Sequence, residues 1–337
     1  MKRYALFLAT ALATVAAAGA AWAQAKKELT FAHQDMMNPF RVAMVNGEVE
    51  KATGYKVNWK QFSGGGDVIK AMASGDVAIG EAGSSPIAAA VSQGIDVELF
   101  WILEDIADAE ALVVRNGSGI NAPQDLKGKK LAVPFVSTTH FHALFALEQF
   151  GIPANAVQVV NLRPPEIAAA WERGDLDATF IWDPVLARVK KNGKVLIASG
   201  LLSSWGKATF DGLIVQKKFA KEHPGFMVGL VKALAAADAA YVKNRAAWDA
   251  KSPQVAAVVK ITGAKPEDVP AGMALYGFPD LAAQASAAWL GGGKDGGAAK
   301  ALAATSAFLK EQKRIDNLLP DYGAAVNPAF VQKAMGK

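Results

Sequence analysis

The stretch Ala73-Ser74-Gly75-Asp76-Val77-Ala78-Ile79-Gly80-Glu81-Ala82-Gly83-Ser84-Ser85-Pro86-Ile87 closes a helix, lays down a strand and opens a second helix. Residues 77–80 read as an apolar strand and 87–91 as the start of an apolar helix. Ser85 followed by Pro86 fits an N-cap with proline at the first helical position. A second stretch repeats the plan: 131–135 is strand-like, Val136-Ser137-Thr138-Thr139-His140 is a hydroxyl-rich turn, and 141–150 is helical. The first peptide N–H groups of a helix lack an internal partner and carry the positive end of its dipole. Flanked by hydroxyls, they can hold a sulfonate, phosphate or carboxylate without a cation. One such cradle in each half of the chain points to a ligand held between two lobes.

Working outward, strand and helix alternate as in a parallel α/β sheet. Residues 29–32 and 57–62 read as strands, with one helical stretch, 40–53, between them and Gly54 at its end. Ser63-Gly64-Gly65-Gly66-Asp67 leads into a helix at 68–74. Strands follow at 97–102, 112–115, 178–182 and 210–215, with a helix at 166–173. The pair Ala73-Ser74-Gly75-Asp76-Val77 and Glu172-Arg173-Gly174-Asp175-Leu176 ends a helix and starts a strand at matching places in two similar halves. Beyond 215 the chain turns to alanine-rich amphipathic helices at 224–243 and 299–313, with a flexible break expected at 291–297. The fold class is therefore α/β with two lobes. The chain should cross between them near 112–115 and 213–217, giving one lobe from 24–113 plus 216–337 and the other from 114–215.

At 337 residues and 52% hydrophobic, the chain can build two sizeable cores. Lys2 and Arg3, an apolar run over 4–21 and Ala21-Trp22-Ala23 read as a signal peptide, 1–23, cleaved after Ala23. There is no cysteine, so disulfides, thiolate metal sites and thiol nucleophiles are excluded. Formal charge is +5, or +3 without Lys2 and Arg3, and the basic residues do not cluster, so no nucleic-acid partner is expected.

The strings quoted above, with Glu110-Ala111-Leu112-Val113-Val114, Ala132-Val133-Pro134-Phe135 and Ala169-Ala170-Trp171-Glu172-Arg173-Gly174-Asp175, closely resemble the nitrate, sulfonate and taurine class of periplasmic solute-binding proteins of ABC importers, its taurine binders above all. The resemblance runs from about 29 to 312. It implies a periplasmic-binding-protein fold of type II with a cleft between lobes, a periplasmic location, and delivery of a small solute to an inner-membrane permease driven by a cytoplasmic ATPase. A monomer without cofactor or metal is expected. Carried over by position, Gln34, Ser84, Ser85, Ser137, Thr138, Thr139, Trp182 and Asp211 form the ligand-facing set. Hydroxyls and helix starts suit a sulfonate, and Asp211 suits an ammonium.

The chain departs from that pattern by adding acids: Asp35 beside Gln34, Glu81 before the first cradle, and Glu104 and Asp105 after the strand at 97–102. All follow strand ends, the edge at which open α/β sheets bind ligands. Such an excess favours a cationic amine or guanidinium ligand in place of a sulfonate. An enzyme is the competing class, with Ser137, His140 and Asp183 or Asp211 as nucleophile, base and orienter. No Gly-x-Ser-x-Gly elbow supports it, and His140 and Asp183 are read instead as further ligand-facing residues.

Overall fold

The computed structural model describes residues 27–336; the expected signal peptide and its cleavage site lie outside them. The chain forms two five-stranded mixed sheets of matching plan. The first has the order β2 (Lys56–Gln61), β1 (Glu28–His33), β3 (Ile79–Gly83), β10 (Phe210–Gln216) and β4 (Val97–Asp105). The second has the order β7 (Gln158–Asn161), β6 (Lys130–Val133), β8 (Ala178–Trp182), β5 (Glu110–Arg115) and β9 (Gly193–Ala198). In each, four strands run one way and the fourth in the row runs against its neighbours.

That fourth strand moves the expected crossings. Glu110–Arg115 bonds to β8 and β9 and so belongs to the second sheet, while Phe210–Gln216 bonds to β3 and β4 and belongs to the first. The chain therefore crosses at 106–109 and again within 199–209, not inside these strands. Apolar continuity made both segments legible as strands, but nothing local in the sequence says which sheet they join.

Strands β3, β4, β5, β8 and β10 are buried on both faces, which is why they read as near-continuous apolar runs, while the edge strands β2, β7 and β9 stay largely exposed. Along β5, Leu112 and Val114 pack with Phe141, Phe145 and Phe180 on one face, while Ala111 and Val113 pack with Ile167 and Trp171 on the other. The first lobe is centred on Phe31, Phe40, Phe100 and Trp101, closed by the helix Pro224–Lys243. Phe308, on the helix Gly297–Glu311, packs into the second lobe's core.

Two local expectations change. The stretch 40–53 is two helices, α1 (Phe40–Val45) and α2 (Glu48–Thr53), because Gly47 takes a left-handed φ of 65°. The glycines at 291–297 are not a flexible break: a β-carbon on Gly297 would lie 1.9 Å from the Ala288 carbonyl oxygen, so they permit backbone to pack on backbone.

Candidate functional site

The parallel strands β1, β3, β6 and β8 end at one edge of their sheets, and the antiparallel β5 and β10 begin there. Gln34 follows β1, Gly83 ends β3, Trp182 ends β8, and Glu110 and Asp211 lie at the starts of β5 and β10. Register fixes the juxtaposition: Asp211 pairs with Gly83 and Glu104, and Glu110 pairs with Trp182. From these edges lead α3 (Gly65–Ala73), α4 (Ser84–Ser92), α5 (Thr138–Gln149) and α6 (Pro164–Arg173). Gln34, Met36, Gly65, Gly83, Pro86, Glu110, Ser137, Thr138, Trp182 and Asp211 enclose a cleft of about 10 Å³. That is room for about one water, so the lobes stand closed and a small solute needs them to part.

The closing contacts are specific. The Trp182 indole N–H donates to Asp35 Oδ1 across the cleft at 3.2 Å. The Thr138 methyl rests on Gly83, where a β-carbon would lie 2.7 Å from it. A β-carbon on Gly272 would lie 2.7 Å from Asp183 Oδ2. Arg163 and Asp67, 3.8 Å apart, are largely exposed and add little.

The two cradles differ from their expected form. Helix α4 starts at Ser84 with Gly83 as N-cap and no side-chain cap, so Pro86 is the third helical residue and not the first. Proline is tolerated there because first-turn N–H groups have no carbonyl partner within the helix. Ser84 Oγ is buried and accepts from the Phe210 N–H at 3.4 Å, which takes it out of the cleft. Helix α5 begins at Thr138, three residues before the expected 141, and its N-cap is Ser137, accepting from the His140 N–H at 3.0 Å. Its hydroxyl is within hydrogen-bond distance of both the Pro134 carbonyl, at 2.5 Å, and the Thr139 hydroxyl, at 2.9 Å. Thr138 Oγ1 donates to Glu110 Oε1 at 2.5 Å.

The added acids separate by role. Glu81 is not a free charge in the cleft: fully buried, it accepts two hydrogen bonds from the Arg41 guanidinium at 2.8 and 2.6 Å and one from the Gln34 N–H at 3.2 Å. Asp105 also turns away, accepting from the Ala107 N–H at 3.2 Å in the crossover. Glu104 is buried beside Asp211 with neither carboxyl oxygen hydrogen-bonded, and burial and the Asp211 charge push its pKa well up. Asp211 itself lines the cleft and is pushed well up by burial and by Glu110. Asp35 and Asp183 are each raised by burial to about 6, and Asp183 accepts from the Ala187 N–H at 2.8 Å. Buried Tyr276, whose hydroxyl has no partner, has its pKa raised by burial and by the charges of Glu104 and Asp211.

Two residues escaped the sequence reading. Glu110 lines the cleft with one carboxyl oxygen unpartnered, raised to about 8 by burial and held back by the Thr138 hydroxyl. Its signal was a carboxylate immediately before the apolar run 111–114. Arg41, on α1, is the cation that neutralises Glu81; a basic residue inside an apolar helix was the clue. Ser85 and His140 do not line the cleft but a separate cavity behind it. The cleft thus gathers carboxyls whose charge is suppressed by burial beside helix N-termini, an arrangement able to hold an ammonium at one end and an oxyanion at the other.

Two α/β lobes closed over a polar cleft at their strand ends are the architecture of the bilobal periplasmic-binding-protein fold. Residues 51–247 match the NMT1/THI5-like family model. The chain is 38% identical to the taurine-binding periplasmic protein of Escherichia coli strain K12, over 90% of this chain and 92% of that one. It belongs to the NMT1/THI5-like family, alongside the periplasmic taurine-binding proteins. The alkanesulfonate-binding protein of Xanthomonas axonopodis pv. citri, solved bound to MOPS, superposes with a TM-score of 0.71 at 21% identity, covering 91% of this chain and 97% of that one. A desulfurization enzyme shares the fold at a TM-score of 0.62 and 15% identity, over 92% and 99% of the chains, so the fold alone does not separate binding from catalysis.

Proposed function

We propose that this chain is the periplasmic solute-binding component of an ABC importer, exported by a cleaved signal peptide and acting as a monomer. It closes over taurine or a related small zwitterionic sulfonate and hands it to a membrane permease driven by a cytoplasmic ATPase. The lobes in this reading are 27–105 with 210–336, and 110–198. The observation that carries it is the pairing of Asp211 and Glu110 at the cleft wall with the start of α5. An ammonium lies between the two carboxyls, and the sulfonate meets first-turn N–H groups and hydroxyls. Trp182 closes one side and excludes water. No nucleophile is called for: the Ser137 hydroxyl serves as a helix cap, and His140 lies outside the cleft.

A second reading keeps the importer and changes the ligand to a cationic amine or guanidinium compound. It rests on Asp35, Glu104 and Asp183 standing near the same cleft while Arg41 is consumed by Glu81. A thermal-shift panel of taurine, ethanesulfonate, ethylamine and guanidinium compounds decides between them, since a ligand that binds only the folded state raises the melting temperature. Taurine as the strongest stabiliser supports the first reading. Stabilisation by ethylamine or guanidinium but not taurine supports the second, and chemical turnover of any ligand removes both.

A further inference from the structure

We propose that the chain carries a second ligand site, outside the cleft, for a small organic anion: a short apolar body ended by a carboxylate or sulfonate. A cavity of about 310 Å³ lies between α4, the entry to α5 and the end of the helix Gly297–Glu311 with the segment that follows it. That volume is within the range of small-molecule pockets and far larger than the closed cleft. It shares no lining residue with the cleft.

Its chemistry is opposite to the cleft's. No acidic residue lines it, while Lys313 and Arg314 do, and neither makes an ion pair among the described residues. The Arg314 guanidinium lies 5.7 Å from the ring centre of Phe135, which stacks on His140 at 4.3 Å and 8°. His140 is 4% exposed, and its Nε2 has no hydrogen-bond partner. Burial holds its pKa at about 4, so near neutral pH the ring is uncharged and one nitrogen carries a hydrogen to donate. Ser85, 2% exposed, adds a hydroxyl. Leu309 and Ile315 supply an apolar wall for the ligand body.

The backbone of this cavity is strained on two sides. Val136 has φ of 58° and Lys313 φ of 55°, both in the left-handed region, which a β-branched residue such as valine rarely adopts. Strain of this kind persists where surrounding structure imposes it, and it collects at ligand sites. The walls come from both lobes, Ser85 from the first and Phe135, Val136 and His140 from the second, so an occupant contacts the closed arrangement of the two.

Calorimetric titration of the mature chain with butane-1-sulfonate, butanoate and inorganic sulfate tests the site. At least one organic anion should bind, with inorganic sulfate weaker because it leaves the apolar wall unfilled. Arg314→Ala should weaken that binding by about tenfold or more, the loss of one charge-assisted contact. Lys313→Gly, which relieves a positive φ and so keeps the fold, should weaken it too. Asp211→Asn, in the cleft, should leave it unchanged. Binding that survives in both Arg314→Ala and Lys313→Gly, binding abolished by Asp211→Asn, or no binding by either organic anion overturns the proposal.

Discussion

Replacing Arg41 by methionine strands the buried Glu81 carboxylate, and the structure sets the size of the effect. Both side chains are fully buried, and the guanidinium reaches both carboxyl oxygens while its Nε–H also donates to the Met36 carbonyl at 2.9 Å. Without the cation the carboxyl must stay charged in a dry site or take up a proton. Removing one partner of a buried ion pair costs roughly 3–5 kcal/mol, because the other charge is left uncompensated. At about 2 °C per kcal/mol for a chain of this size, the melting temperature should fall by about 6–10 °C. Adding Glu81→Gln keeps an acceptor for the Gln34 N–H and removes the charge, so the double variant should recover at least half of the loss. Differential scanning calorimetry of wild type, both single variants and the double variant measures all of this. A single-variant loss under about 1 kcal/mol, the range of an exposed pair, or a double variant no better than Arg41→Met, refutes the reasoning.

Above pH 6.5 the ligand-free protein should lose stability as pH rises toward 9. Glu110, at about 8 when folded, binds a proton there that the unfolded chain does not, and stability falls wherever the native state holds more protons. Below pH 6.5 the buried His140 and His142, each at about 4, act in the opposite sense and mask the trend. Melting curves across pH 6.5–9 should slope downward in wild type and less steeply in Glu110→Gln, where the buried Glu104 and Asp211, both pushed up, still contribute. Gly83→Ala places a methyl 2.7 Å from the Thr138 methyl across the cleft, so it should weaken ligand binding by about tenfold or more with only a small change in melting temperature. Ser137→Ala removes the α5 N-cap and should cost about 1 kcal/mol in a denaturant melt.

Most of the architecture was legible because the inner strands are buried on both faces: apolar runs mark them, and Gly75 and Gly174, at φ of 88°, mark the turns that end helices. Sheet membership was not legible. Residues 110–115 and 210–216 are apolar in any partnering, and only long-range hydrogen bonding assigns them. In the site, Ser137 was readable as a cap because its partner is three residues away. Glu81, on β3, was misread because its partner, Arg41, is 40 residues away on helix α1. Ser85 and His140 were grouped with the cleft because they adjoin cleft residues in sequence, yet helix geometry turns neighbours to different sides, and these two face the cavity behind.

The claim at the centre is that buried carboxyls in the closed cleft hold the ammonium of a small zwitterion. Calorimetric titration of taurine into wild type and Asp211→Asn at pH 7 addresses it directly. Wild type should bind clearly and the variant should lose about 100-fold or more, because the ammonium favours an ionised Asp211 that asparagine cannot supply, with the melting temperature of the free protein little changed. Equal affinity of the two proteins for taurine would contradict it.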